Sequence, residues 1–135
     1  MRIVLDTNCL IAAVPAESAH KWLYDAFVEE QFEWAVSTEI LDEYAEKLGE
    51  FFSGAVADYV LNSLADAPNV LFAEPFFRWN LIPDDPDDDK FVDLALSVNA
   101  DYLVTNDHHF DGVKGSKFPQ VAIVSLDEFR ALLGR

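Results

Sequence analysis

Cations are scarce in this chain: nine lysines and arginines stand against 25 aspartates and glutamates over 135 residues, a formal net charge of -16. Such a balance repels a nucleic acid at long range unless a cation intervenes, which excludes the electrostatic grip of an ordinary basic nucleic-acid binder. There is one cysteine, so no internal disulfide can form. Cys9, beside Leu10 and Ile11, reads as a small buried apolar side chain rather than a nucleophile. No apolar run approaches the 18 or so residues that span a bilayer, and the first residues lack the charged start, apolar stretch and small-residue cleavage site of a signal peptide. A cytoplasmic protein without membrane association is therefore expected. No internal repeat is present, and the only low-complexity patch is IPDDPDDDK at 82–90.

Apolar residues are plentiful by contrast, at 51% of the chain with 13% aromatics, which marks a packed core rather than a disordered chain. The length suits one domain, residues 1–135, burying roughly 65 to 70% of the surface exposed when unfolded. Short buried-strand runs at Ile3–Leu5, Trp34–Val36, Val70–Phe72, Tyr102–Val104 and Val121–Val124 alternate with helical stretches at about 8–14, 18–30, 38–49, 54–66, 86–98 and 126–133. That alternation predicts an α/β fold: a central, mostly parallel sheet of four to five strands flanked by helices on both faces. Ser125 followed by Glu128 reads as a capping box for the last helix, Asp85-Pro86 as the opening of the fifth, and Gly49 as the close of the third.

In open α/β sheets ligands bind beyond the carboxyl ends of the strands. Asp6 directly follows the first strand run, and Asp107 follows the fourth after Thr105 and Asn106. Either could instead cap a helix. Asp88 projects, at 100° per residue, onto the apolar face that carries Phe91 and Ala95, whereas Asp89 and Asp93 project to the other side. In STEILDEYAEKL, Glu43 borders the stripe of Ile40, Leu41, Tyr44 and Leu48 and is the acid best placed to turn inward, with Lys47 on the same border. Carboxylates converging on one crevice repel one another unless something positive sits between them, and oxygen ligands select hard ions, so Mg²⁺ or Mn²⁺ is the expected guest. Such a site suits phosphodiester hydrolysis. His108 and His109, adjacent on a turn, are expected to face solvent and to stay outside the ion's shell.

With these residues in hand, the chain resembles the PIN-domain family of metal-dependent nucleases, and within it the toxin ribonucleases of toxin-antitoxin modules. The likeness rests on VLDTNCLIAA, the SxEILDEYAEKL helix, DPDDDKFVDLALSVNADYLVTND and VSLDEFRALL, in that order. It implies a PIN-like three-layer α/β/α fold. The family's acidic quartet falls on Asp6, Glu43, Asp88 and Asp107, with Thr7 or Asn8, and Thr105, matching polar positions that orient the first acid or the metal's water. Asp87 and Asp89 flank the third acid and leave its register open by one residue, and the helix-face reading favours Asp88. The resemblance further implies cleavage of single-stranded RNA, a Mg²⁺ or Mn²⁺ cofactor, a homodimer and a cognate antitoxin. Arg78, Lys90, Lys114 and Lys117 lie in or beside the loops of the mouth and are the candidate phosphate contacts. Phe51, Phe52, Phe76, Phe77 and Trp79 could stack bases or form a partner surface, although most are expected in the core.

Two other readings stay in play. The first is a catalytically inactive PIN-like domain that binds RNA or a protein, to which the low basic charge lends weight. The second is a phosphoacceptor regulatory domain, disfavoured because Ser125-Leu126-Asp127 follows the last strand where a phosphoryl-binding lysine would be needed.

Overall fold

The computed structural model describes residues 1–82, 86–114 and 120–135. Five strands, β1 (Arg2–Leu5), β2 (Glu33–Val36), β3 (Val70–Phe72), β4 (Tyr102–Val104) and β5 (Ile123–Val124), form one sheet in the order β3-β2-β1-β4-β5. Every pairing is parallel, with Ile3 opposite both Trp34 and Tyr102 across the central strand. Ile3, Val4 and Leu5 are all fully buried. Successive strand residues face opposite sides, so both faces of β1 are covered, as a parallel sheet requires.

The helices are α1 (Thr7–Ala13), α2 (Lys21–Val28), α3 (Thr38–Phe51), α4 (Gly54–Asp66), α5 (Asp89–Ser97), the short α6 (Asp111–Lys114) and α7 (Leu126–Leu132). Ser37 and Ser53 cap α3 and α4 by accepting hydrogen bonds from the N–H groups of Ile40 and Val56. Ser125 and Glu128 form the expected capping box of α7. An aromatic cluster welds α2, β2 and α7: the Phe27 ring meets Trp34 edge-on at 5.3 Å, and Phe32 meets Phe129 likewise at 5.3 Å. Such pairs add about 0.5 to 1.5 kcal/mol beyond their buried area.

Several boundaries differ from the sequence expectation. The second helix opens at Lys21, three residues later than expected. The third runs through Gly49 to Phe51, since an exposed glycine inside a helix costs only about 1 kcal/mol and does not by itself stop it. The fifth divides into a 3₁₀ turn, Pro86–Asp88, and α5 proper. Asp85, expected to cap it, lies outside the described residues. A 3₁₀ turn, His108–Phe110, and α6 follow β4 where no element was expected. Phe51, Phe76 and Phe77 are well exposed at 63%, 84% and 67%, against the expectation of core packing.

The fold brings α3 to the carboxyl end of β1 through one buried phenol. The Tyr44 hydroxyl donates to the Leu5 carbonyl at 2.5 Å and accepts from the Trp34 indole N–H at 3.3 Å. Leu5 precedes Asp6 and Tyr44 follows Glu43, so this single bond draws the two acids toward each other.

Candidate metal centre

Asp6 extends the central strand by one pairing, its N–H donating to the Val104 carbonyl at 3.0 Å, and its side chain is only 3% exposed. It sits at the N-cap of α1, yet its carboxylate caps nothing. Instead Thr105 Oγ1 donates to Asp6 Oδ2 at 2.8 Å, and the same hydroxyl oxygen accepts from the Asp107 N–H at 3.0 Å. One buried hydroxyl thereby fixes two acids 101 residues apart in the chain. Burial pushes the Asp6 carboxyl up from 3.8 to about 6, the charges of Asp107 and Glu43 push the same way, and the Thr105 hydrogen bond opposes them.

Asp107 does cap: its Oδ1 accepts from the His109 N–H at 2.8 Å at the start of the 3₁₀ turn. That turn folds the His109 ring back over the acids, placing Nδ1 at 3.3 Å from Asp107 Oδ1 and at 3.3 Å from Asp88 Oδ2. Asp88, Asp107 and His109 each offer a ligand atom within 4.8 Å of the others, a spacing that fits one ion. The neighbouring histidine behaves as expected, since His108 is 94% exposed at the side chain and faces Asp111. His109 is exposed as expected, at 55% of its side chain, but the 3₁₀ winding aims its Nδ1 at the acids, a direction that reading the segment after β4 as an open turn did not anticipate.

Glu43 lies close enough to Asp6 for their charges to interact. Thr7 Oγ1 donates to Glu43 Oε2, so Thr7 is the residue of its pair engaged with an acid, while Asn8 is exposed. The other oxygen, Oε1, receives the Lys90 ammonium at 2.8 Å, and Lys90 also donates to the Asp87 carbonyl at 2.5 Å. Asn106 fastens the β4 loop to α7 by accepting the Leu126 N–H at 3.1 Å.

The neighbours of Asp88 have a different role. Asp89 accepts the Ile82 N–H at 2.9 Å and Asp93 the Trp79 N–H at 2.9 Å. Both acids are buried, at 9% and 5% exposure. They do project to the other side of α5, as the spacing predicts, but the segment 76–82 covers that side. Burial raises the Asp93 carboxyl, against the hydrogen bond from Trp79. Asp87 is exposed.

Of the candidate phosphate contacts, Lys90 is turned inward on Glu43, and its side chain is 12% exposed. Arg78 is 82% exposed and lies 3.6 Å from Glu39. The side chain of Lys114 and the whole of Lys117 lie outside the described residues. An open cleft of about 800 Å³ runs from Glu43 and Lys90 past Glu39, Asp42 and Arg78. A second hollow of about 490 Å³, between α1, α2 and α4, is apolar and has no carboxylate in its lining.

The model of the PIN domain matches residues 2–109. The chain belongs to the PIN-domain family. No curated protein matches it in sequence. Among solved structures it is similar to PAE2754 from Pyrobaculum aerophilum, at 17% identity and TM-score 0.65, with 99% of this chain and 90% of the other covered. It is also similar to VapBC2 from Rickettsia felis bound to a DNA fragment from their promoter, at 16% identity, TM-score 0.64, and 93% and 98% coverage. DNA-bound VapBC from Salmonella typhimurium gives 16% identity, TM-score 0.59 and the same coverage of 93% and 98%. At these identities the likeness is one of fold, and it bears out the three-layer α/β reading.

Proposed function

We propose that the chain, residues 1–135, is a metal-dependent endoribonuclease domain that hydrolyses phosphodiester bonds of single-stranded RNA in the cytoplasm. The observation that carries this reading is the convergence of Asp6, Glu43, Asp88 and Asp107 from four separate segments onto one end of a parallel sheet, with a buried carboxyl raised to about 6 among them. A carboxylate in that condition calls for a positive partner. The donor set of Asp88, Asp107 and His109 fits Mn²⁺ or Mg²⁺, since it is mostly oxygen and has no thiolate. Such an ion supplies neutralisation of the phosphate and a lowered pKa for bound water. The protein's own groups do the rest. Thr105 holds Asp6 and Asp107 at fixed separation, Thr7 holds Glu43, and the 3₁₀ turn after β4 sets the His109 ring. Asp6, at about 6, can take up a proton at its carboxylate just below neutral pH. Supporting the toxin reading are the VapBC neighbours, which suggest a cognate antitoxin partner; a homodimer belongs to the same proposal.

The test is cleavage of an unstructured RNA oligonucleotide with and without Mn²⁺. Activity should need the metal and should vanish in Asp107→Asn with the fold retained by circular dichroism. Full cleavage by Asp107→Asn, or cleavage undiminished in a chelator, rejects the reading. A second reading, an inactive PIN domain that binds RNA or protein, is favoured by the acid-lined cleft and by the commitment of Lys90 to Glu43. RNA retention without cleavage at any metal concentration would establish it.

A further inference from the structure

Lys90 stands in the first turn of α5, immediately after Asp87, Asp88 and Asp89. A cation is unfavourable there, because a helix N-terminus carries partial positive charge. The cost is met locally. Its ammonium lies 2.8 Å from Glu43 Oε1 and donates to the Asp87 carbonyl, with the Phe91 ring 5.4 Å away. The Lys90 and Glu43 side chains are only 12% and 20% exposed. The second oxygen of Glu43 accepts from Thr7, so both of its oxygens are engaged by donors of the protein itself. The group of ligand atoms close enough to share one ion contains Asp88, Asp107 and His109 and does not include Glu43.

We infer that Glu43 and Lys90 form a closed ion pair that stands beside the divalent ion rather than ligating it, with the Lys90 ammonium as a fixed counter-charge that sets the site's affinity for the ion. Resting on the metal-dependent reading above, this makes both residues positioning residues. A pocket of four carboxylates alone would bind a dication tightly and repel the phosphate that must join it. One built-in positive charge loosens the ion and lowers the repulsion.

The test is calorimetric titration of the full chain with Mn²⁺ alone, after thermal melts in chelator confirm that each variant is folded. Lys90→Met should bind Mn²⁺ at least about threefold more tightly than the wild type, because one positive charge is lost from beside the ion. Lys90→Arg keeps the charge and should restore wild-type affinity. The double variant Glu43→Gln with Lys90→Met removes the pair without changing net charge and should bind within about threefold of wild type. A double variant more than about tenfold weaker, a loss of about 1.4 kcal/mol or more, overturns the inference as the signature of a lost ligand. Unchanged affinity in Lys90→Met overturns it equally, and that variant decides alone if the double variant does not fold. If the wild type itself binds no Mn²⁺, the metal-dependent reading fails and takes the inference with it. Binding by the wild type but not by the double variant sinks the inference only.

Discussion

At the scale of single residues, the titration of Asp6 gives a measurable consequence. Its carboxyl is held at about 6 in the fold against 3.8 outside it. Between those values the native state binds more protons than the unfolded state, so stability falls as pH rises through this window and is level above it. For the fully buried side chain the total is about 3 kcal/mol, at 1.36 kcal/mol per unit. Urea unfolding in chelator at pH 4 and pH 7 should show that loss, and Asp6→Asn, which cannot ionise, should flatten it. Added Mn²⁺ should oppose the loss at pH 7, because a ligand bound only by the native state stabilises it by mass action. Asp6→Asn should also lower RNA cleavage by at least about a hundredfold, read by single-turnover kinetics. Thr105→Val is a milder probe. It removes the hydroxyl shared by Asp6 and Asp107 while keeping the shape, so activity should fall more than stability does.

At the scale of elements, α3 reaches the sheet through Tyr44. Tyr44→Phe leaves the buried Leu5 carbonyl without its phenol donor and should cost about 1 to 3 kcal/mol in chemical unfolding. Because that bond also sets Glu43 beside Asp6, activity should decline beyond what the stability loss explains. The strands and most helices were legible in sequence because buried parallel strands read as short apolar runs and helices as stripes of period 3.6. Asp6 and Asp107 were legible from their places after strands. Less legible was anything that depends on a covering segment. By angle alone Asp89 and Asp93 project to the other side of the helix, with nothing to show that residues 76–82 lie over them and donate two backbone N–H groups. A helical count also extends poorly to Asp88, which sits in a 3₁₀ turn rather than in α5. The aim of the His109 ring and the partner of Lys90 were not legible for a related reason: a ring's direction after a strand and a lysine's choice of carboxylate are tertiary facts with no periodic signal. One sequence clue existed for Lys90, a cation in a helical first turn, where its charge needs a partner.

At the scale of the whole molecule, the proposed ribonuclease would have to receive RNA against a formal charge of -16. Few cations are available to displace counterions, so the slope of log affinity against log salt should be shallow, about -2 or less in magnitude, in filter binding to a single strand. A slope steeper than about -4 would contradict this expectation. Divalent ions should raise affinity rather than screen it away, the opposite of a basic binder. The exposed Phe76 and Phe77 rings beside the acid-lined cleft offer stacking contacts that do not depend on charge.

The bond from Thr105 to Asp6 joins residues 99 apart, and the His109 ring completes the cluster four positions later. On a ribosome adding roughly 5 to 20 residues each second, the opening strand therefore waits several seconds for the neighbour that finishes the pocket. Partial translation products ending before residue 107 lack Asp107 altogether, so the acid cluster exists only in a nearly finished chain.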